Sequence, residues 1–180
     1  MFGLFRSKKH DDVAHTLYVG IVNQARVPAF YTEFEVPDTP DGRFDMILLH
    51  VFLMFHRLKD ETGEAPEIAQ AVFDLLFADM DQNLREMGIG DVGVSHRIKG
   101  MVKALNGRVT VYGESLEAGD NTGLEVALRR NLYRKTEPSG QSVGAIATYM
   151  RREIDALSAQ QTSDIVKGRI TFGAPGGEQA

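Results

Sequence analysis

Apolar residues recur every three to four positions along most of the chain, which is the spacing of one face of an α-helix. The first such stripe covers residues 13–25, and residues 44–58 are apolar on nearly every side. A short extended piece covers residues 170–172. The pattern predicts an all-α single globular domain of about six or seven helices around a buried central helix at residues 44–58, with a short extended C-terminal segment. The other stripes cover residues 68–87, 94–116, 124–132 and 143–157.

Several residues mark where these helices begin and end. Thr39 followed by Pro40 predicts the start of the central helix, because threonine caps helices and proline fits their first turn. Gly88 predicts the end of the helix that precedes it. Thr122 and Glu125 have the spacing of a capping box, which predicts the start of the helix over residues 124–132.

Residues 106–112 are compatible with two local structures. Asn106-Gly107 followed by Val-Thr-Val is typical of a β-hairpin turn and a strand. However, the helical spacing of apolar residues continues across this point, and the chain contains no second β segment to pair with the first. We therefore predict a helix that is weakened at Gly107.

Composition restricts the class of protein. With 180 residues, of which 43% are hydrophobic and 25% are charged, the chain is long enough for one globular domain. The net charge of −5 excludes a generically basic nucleic-acid binder, and the absence of cysteine excludes a cysteine nucleophile or a cysteine-ligated metal. We expect a basic and aromatic N-terminal segment at residues 1–10, a helical domain at residues 11–172 and a flexible tail at residues 173–180.

The N-terminal segment combines apolar and basic side chains, and its apolar stretch is too short for a signal peptide or a spanning helix. Such a mixture suits the headgroup layer of an anionic bilayer. The alternative is a terminus whose phenylalanines dock on the protein. The candidate membrane contacts are Phe2, Leu4, Phe5, Arg6, Lys8 and Lys9.

Two short motifs resemble ligand-binding sites but lack the required context. Gly88-Ile-Gly90-Asp-Val-Gly93 spells a dinucleotide-binding loop, yet it follows a helix instead of a strand. We interpret it as a corner between two helices. Residues 79–83 begin like a calcium loop, but the glycine and the final glutamate of that loop are missing.

Carboxylates and histidines offer a second kind of chemistry. Asp79 and Glu86 share one helix face, while His50 and His56 lie in the central helix. We interpret each histidine as a hydrogen-bonded structural imidazole and expect no cofactor. The alternative is a haem- or metal-handling helical protein, or an enzyme, that uses Asp79, Glu86 and the histidines.

One stretch of the chain resembles a known family. Met80-Asp-Gln-Asn-Leu-Arg-Glu-Met-Gly-Ile-Gly-Asp91, followed by Arg97-Ile-Lys-Gly-Met101, is similar to the signature of the ubiquinol–cytochrome c chaperone family. Further matches are Gly107-Arg108 and Leu128-Arg-Arg-Asn131. The resemblance covers roughly residues 10–172. The chain opens directly at this domain, without the long presequence of mitochondrial members, as we expect for an alphaproteobacterial relative.

The resemblance implies a helical, non-enzymatic assembly factor of the cytochrome bc1 complex. Family members act on newly made cytochrome b at the inner membrane, and they also contact the ribosome and a small helper protein. For this chain the resemblance implies a peripheral location at the cytoplasmic face of the inner membrane and no sequence-specific nucleic acid. The candidate partner-binding residues are Met80, Asp81, Arg85, Met87, Ile89, Asp91, Arg97, Lys99, Arg129 and Arg130.

Overall fold

A computed structural model describes residues 8–176, and within this range the chain forms helices and no strand. The prediction of an all-α domain is confirmed. Two of the helices, α2 and α8, are single turns, and a five-residue π-helical turn follows α6. The helices are α1 (Lys8–Ala25), α2 (Ala29–Thr32), α3 (Pro40–Leu58), α4 (Ala65–Glu86), α5 (Asp91–Glu117), α6 (Asn121–Leu128), the π-helical turn (Arg129–Tyr133), α7 (Gly140–Ser158) and α8 (Thr162–Ile165).

Helix α3 is the centre of the core, as the sequence predicts. Its first turn is capped by Thr39, whose side-chain oxygen accepts a hydrogen bond from the Gly42 N–H at 3.1 Å. Leu48 and Phe52 are fully buried. Helices α1, α4, α5 and α7 pack around α3. This arrangement follows from the sequence, because a helix that is apolar on all sides is stable only when it is enclosed.

Helix α5 continues through Asn106 and Gly107 without interruption, so the predicted helix is confirmed and the hairpin alternative is wrong. Tyr112 packs edge-on against Phe52 of α3, with ring centroids 5.5 Å apart. The inward face differs from the prediction at two adjacent positions. Arg108 is buried, while Val109, which belongs to the predicted apolar stripe, is 37% exposed.

The capping box predicted at Thr122 is wrong. Asp120 caps α6 instead, because its carboxylate accepts a hydrogen bond from the Gly123 N–H at 2.9 Å. Gly119 ends α5 with a positive φ of 66°, so the chain turns early and Asp120 is the last extended residue before α6. Thr122 therefore lies inside the first turn, too late to cap it.

The C-terminal segment lies along α1 and α7. The Gly173 N–H donates to Glu153 at 2.8 Å, and its carbonyl accepts from Gln24 at 2.7 Å. Arg152 donates to the Ala174 carbonyl. These two residues of the expected tail are thus hydrogen-bonded to the helical domain, while residues 177–180 lie outside the described part of the chain. At the other end, Lys8, Lys9 and His10 form the first turn of α1.

Candidate partner-binding surface

The glycine-rich motif forms the corner between α4 and α5. Gly88 has a φ of 81°, and the Gly88 and Ile89 N–H groups donate to the last carbonyls of α4 at 2.9 and 3.1 Å. At Gly93 a Cβ atom would lie 2.8 Å from the Ile89 side chain. Gly88 therefore allows the backbone to reverse, and Gly93 leaves room for the Ile89 side chain of the corner against the start of α5. The interpretation of this motif as a helix–helix corner is confirmed.

An exposed ionic network, here called the corner network, holds this corner. It consists of Asp81, Arg85 and Asp91. Arg85 donates to Asp81 at 2.6 Å along α4 and to Asp91 in the first turn of α5. The two carboxylates raise the pKa of the Arg85 guanidinium. The predicted Asp81–Arg85 pair is thus present, and Asp91 extends it from one helix to the next.

A groove of about 390 Å³ opens beside the corner, between α1, α3, α4 and α5. The charged residues at this groove are of both signs, and Arg43 is paired with Asp38 at 2.6 Å. They are Arg26, Arg43, Arg97, Asp38, Asp41 and Asp79. Met87 is 68% exposed, which is uncommon for so large an apolar side chain. Thioether side chains adapt to partners of varied shape, so the groove suits an apolar segment of another protein. Its apolar lining consists of Val22, Phe44, Ile47, Met80, Leu84, Met87 and Met101.

The structure brings together most of the candidate partner-binding residues. Met80, Met87 and Arg97 line the groove, and the corner network lies at the end of α4. Ile89 is half-buried in the corner, and Lys99 is exposed on α5. The remaining two lie in the π-helical turn, outside the groove, where Arg129 donates to the Pro138 carbonyl at 3.2 Å and Arg130 is exposed.

Of the candidate membrane contacts, Lys8 and Lys9 are within the described part of the chain. Both side chains are exposed at the start of α1. Lys9 forms an ion pair with Glu64, which precedes α4, at 3.0 Å. The other four, Phe2, Leu4, Phe5 and Arg6, lie outside the described residues.

A second ionic cluster, here called the buried cluster, was missed by the sequence reasoning. It consists of Asp45, Arg108 and Arg134. The Asp45 carboxylate accepts from Arg108 at 2.6 Å and from Arg134 at 2.5 and 2.8 Å. Burial raises the pKa of the Asp45 carboxyl, while both arginines act to lower it. Arg108 also donates to the Asn131 carbonyl at 2.7 Å, so the cluster joins α3, α5 and the π-helical turn.

His50 belongs to a buried polar chain that crosses the core. Its Nδ1–H donates to the Met46 carbonyl at 2.8 Å, and its Nε2 accepts from the Tyr149 hydroxyl at 2.8 Å. Gln24 donates to the same hydroxyl at 3.0 Å. Burial lowers the pKa of the His50 imidazole to about 4, so the ring is neutral. Both ring nitrogens are used, as the interpretation of a structural imidazole requires.

The proposed metal-handling residues have other partners. Asp79 accepts a hydrogen bond from the Tyr18 hydroxyl at 2.8 Å, and Glu86 accepts one from Gln82 at 2.8 Å. Within residues 8–176 no three carboxylates or histidines are grouped so as to hold a metal ion. In the same part of the chain, no helix has the length and apolarity needed to cross a membrane.

An all-helical domain that presents a methionine-lined groove beside a charged corner has the features of a helical chaperone or assembly factor. The chain belongs to the ubiquinol-cytochrome C chaperone family, whose model matches residues 32–172. The family resemblance of the signature around residues 80–101 is thereby confirmed.

Relatives from animals share the assembly-factor description. The ubiquinol-cytochrome-c reductase complex assembly factor 1 of Xenopus laevis is 23% identical over 150 residues, which cover 83% of this chain and 74% of the relative. The Homo sapiens protein of the same description is 22% identical over 150 residues, covering 83% of this chain and 50% of the relative. This chain therefore spans about half the length of the human relative.

A solved structure gives the same fold. The crystal structure of the Cbp3 homolog from Brucella abortus superposes with a TM-score of 0.84 at 36% identity, covering 93% of this chain and 92% of that chain. The helical architecture and the family assignment therefore agree.

Proposed function

We propose that this protein is a non-enzymatic chaperone for assembly of the cytochrome bc1 complex, and that it binds newly made or newly inserted cytochrome b. The observation that carries the proposal is the groove between α1, α3, α4 and α5, together with the family membership. A membrane protein exposes apolar segments before it is assembled, and a methionine-rich groove provides adaptable apolar contacts for them.

The charges around the groove supply the specificity of this contact. Arg97 and Arg26 lie at the groove without an ion-pair partner among the described residues. The corner network adds both signs of charge beside the exposed Met87. An apolar segment flanked by an acidic residue would satisfy both features, because a buried apolar contact provides affinity and charge complementarity selects the partner.

Capture from membranes tests the proposal. The tagged protein is incubated with detergent-solubilised membranes of its host, and cytochrome b is quantified by mass spectrometry and by its haem absorbance. The variant Met87→Asp places a charge at the groove, and we expect it to lower cytochrome b recovery at least about tenfold. Val126→Asp is the matched control, because Val126 is 61% exposed on α6, away from the groove.

The possible outcomes distinguish a wrong client from a wrong binding site. If the wild-type protein does not enrich cytochrome b, the proposed client is wrong. If Met87→Asp and Val126→Asp both capture as much as the wild type, the client binds outside the groove. Arg129 and Arg130 then become the next contact residues to exchange, since they lie in the π-helical turn.

The family suggests three further contacts, with the membrane, the ribosome and a helper protein. We propose peripheral contact with the cytoplasmic face of the inner membrane, to which the N-terminal segment contributes through Phe2, Leu4, Phe5 and Arg6. A ribosome contact and a small helper protein are further partners suggested by the family. Capture in the presence of stalled ribosomes, with mass spectrometry of the bound fraction, tests both.

A further inference from the structure

We infer that the outward face of α5 is the surface with which this protein lies on an anionic bilayer. The face, here called the α5 stripe, carries Val92, His96, Lys99 and Lys103. These positions follow one another at intervals of three or four residues, so they share one side of the helix. The inference deepens the proposed peripheral membrane contact and rests on that part of the proposed function alone.

The stripe carries two lysines and a histidine and no acidic side chain. No acidic residue occurs from residue 92 to residue 113, although the whole chain has a net charge of −5. His96, Lys99 and Lys103 are exposed, and none of them forms an ion pair with another described residue. Asp91, the acid at the start of α5, is paired with Arg85. Basic side chains without acidic partners are complementary to a layer of anionic headgroups.

The shape of the stripe also suits a flat partner. Gly100 and Gly107 are exposed, and a Cβ atom at either position would meet nothing within 4 Å. A glycine inside a helix is less favourable than alanine, and within residues 8–176 no packing contact requires these two. Because these two positions have no side chain, a planar partner can come close to the helix backbone along α5.

Exposed apolar side chains at one end of the stripe favour a bilayer over RNA. Val92 is 86% exposed, and Met87 is 68% exposed at the adjoining corner. Apolar side chains beside lysines are typical of helices that lie in the membrane interface. Single-stranded RNA is instead bound by large aromatic side chains on which bases stack, and residues 92–110 contain no Phe, Tyr or Trp.

Flotation of the full-length protein with vesicles tests the inference. The vesicles are phosphatidylcholine with phosphatidylglycerol, and phosphatidylcholine alone is the uncharged comparison. Lys99→Gln with Lys103→Gln should lower the partition coefficient on the anionic vesicles roughly 30-fold, since each lysine near such a surface contributes about one factor of five. Lys135→Gln with Lys167→Gln is the matched control, because both side chains are exposed outside α5.

Three outcomes would overturn the inference. In the first, the α5 variant floats like the wild type while Phe2→Asp with Phe5→Asp abolishes flotation, so that membrane contact stands but belongs to the N-terminal segment. In the second, the wild type binds no vesicles, so that the proposed membrane contact itself is wrong. In the third, the wild type binds polyuridylate and not vesicles, so that the stripe is an RNA surface. Cytochrome b capture in detergent is read separately and does not depend on any of these results.

Discussion

The buried cluster and the corner network use the same chemistry in opposite surroundings. In the corner network one arginine joins two aspartates, and in the buried cluster one aspartate joins two arginines. The Asp45 and Arg108 side chains are 1% and 5% exposed, whereas Asp81 and Arg85 are 41% and 49% exposed. Water screens the charges of the corner network, and its members can exchange partners at little cost. Asp45 and Arg108 have no such alternative, because an unpaired charge in the core is strongly destabilising. One cluster therefore fixes the packing of helices, and the other is suited to recognition.

The largest effect is expected from breaking the buried cluster. Asp45→Asn removes the charge that Arg108 and Arg134 share, and we expect the free energy of unfolding to fall by about 3–5 kcal/mol. Urea denaturation followed by circular dichroism measures it. Asp38→Asn is the matched control, since Asp38 pairs with Arg43 on the surface, and it should melt like the wild type. If both variants lose the same free energy of unfolding, the difference drawn between buried and exposed ion pairs is wrong.

Next in size is a pH effect at the buried His50. In the unfolded chain the imidazole has an ordinary pKa of 6.5, and burial lowers it to about 4. Below pH 6.5 the imidazole therefore binds a proton in the unfolded state but not in the folded state. We expect the stability that the neutral His50 contributes to be complete above pH 6.5. As the pH falls from 6.5 to 4, the free energy of unfolding should decrease by about 3 kcal/mol in total.

The control for this pH effect is His50→Phe, which removes the titrating group. It will be less stable at every pH, because the Tyr149 hydroxyl and the Met46 carbonyl lose a partner. Its stability should nevertheless lack the decline between pH 6.5 and 4 that the wild type shows. The same decline in both proteins would assign the pH dependence to another group.

A smaller effect is expected at Arg134, where two variants distinguish the contribution of the side chain from that of backbone strain. Arg134 has a φ of 52°, in the left-handed region that glycine adopts without strain. Both Arg134→Ala and Arg134→Gly remove the hydrogen bonds to Asp45. We expect the glycine variant to be more stable than the alanine variant by about 1 kcal/mol, as measured by thermal unfolding. An alanine variant as stable as the glycine variant would show that the buried cluster stores no backbone strain.

The corner network should show the smallest effect on stability. Asp81→Lys with Arg85→Glu reverses the pair, and Asp91→Asn prevents repulsion of the new glutamate. We expect little change in melting temperature, while cytochrome b capture falls because the charge pattern no longer matches the client.

The matched control is the swap Asp164→Lys with Arg169→Glu, which reverses an exposed pair near the C-terminus. It should capture cytochrome b like the wild type. If the corner variant captures cytochrome b normally, the charged residues of the signature serve the fold and not partner binding. Unfolding of the corner variant would mean that this network, too, determines helix packing.

The sequence predicts the helices of this protein better than its polar contacts. Helix α3 could be placed because its apolar residues surround the axis, and only a central position accommodates such a helix. Helix α5 could be placed because its apolar spacing outweighs the turn-like Asn106-Gly107. The cap of α6 lies at Asp120 and not at Thr122, because α5 ends at Glu117 and the chain turns at Gly119, a boundary that the sequence pattern does not fix.

The buried cluster shows what the pattern could not provide. Asp45 and Arg108 are 63 residues apart, and no local spacing connects them. A signal was present, because Asp45 interrupts an apolar run and Arg108 lies three residues after Leu105 and four before Tyr112, on the inward face of α5. A charged residue on each of two buried faces indicates a buried pair, but it does not show which two faces meet.

The hydrogen bonds at Gly173 have a consequence for the order in which the protein folds. Gln24 in the first helix and Gly173 near the end of the chain are 149 residues apart, and both belong to the polar chain that reaches Tyr149. During synthesis, α1 leaves the ribosome long before residue 173 is joined to the chain. Since domains fold as units, the surroundings of α1 are completed only after residue 173 has been made. Until then Gln24 lacks its last partner, so the first helix waits for nearly 150 further residues before its polar contacts are complete.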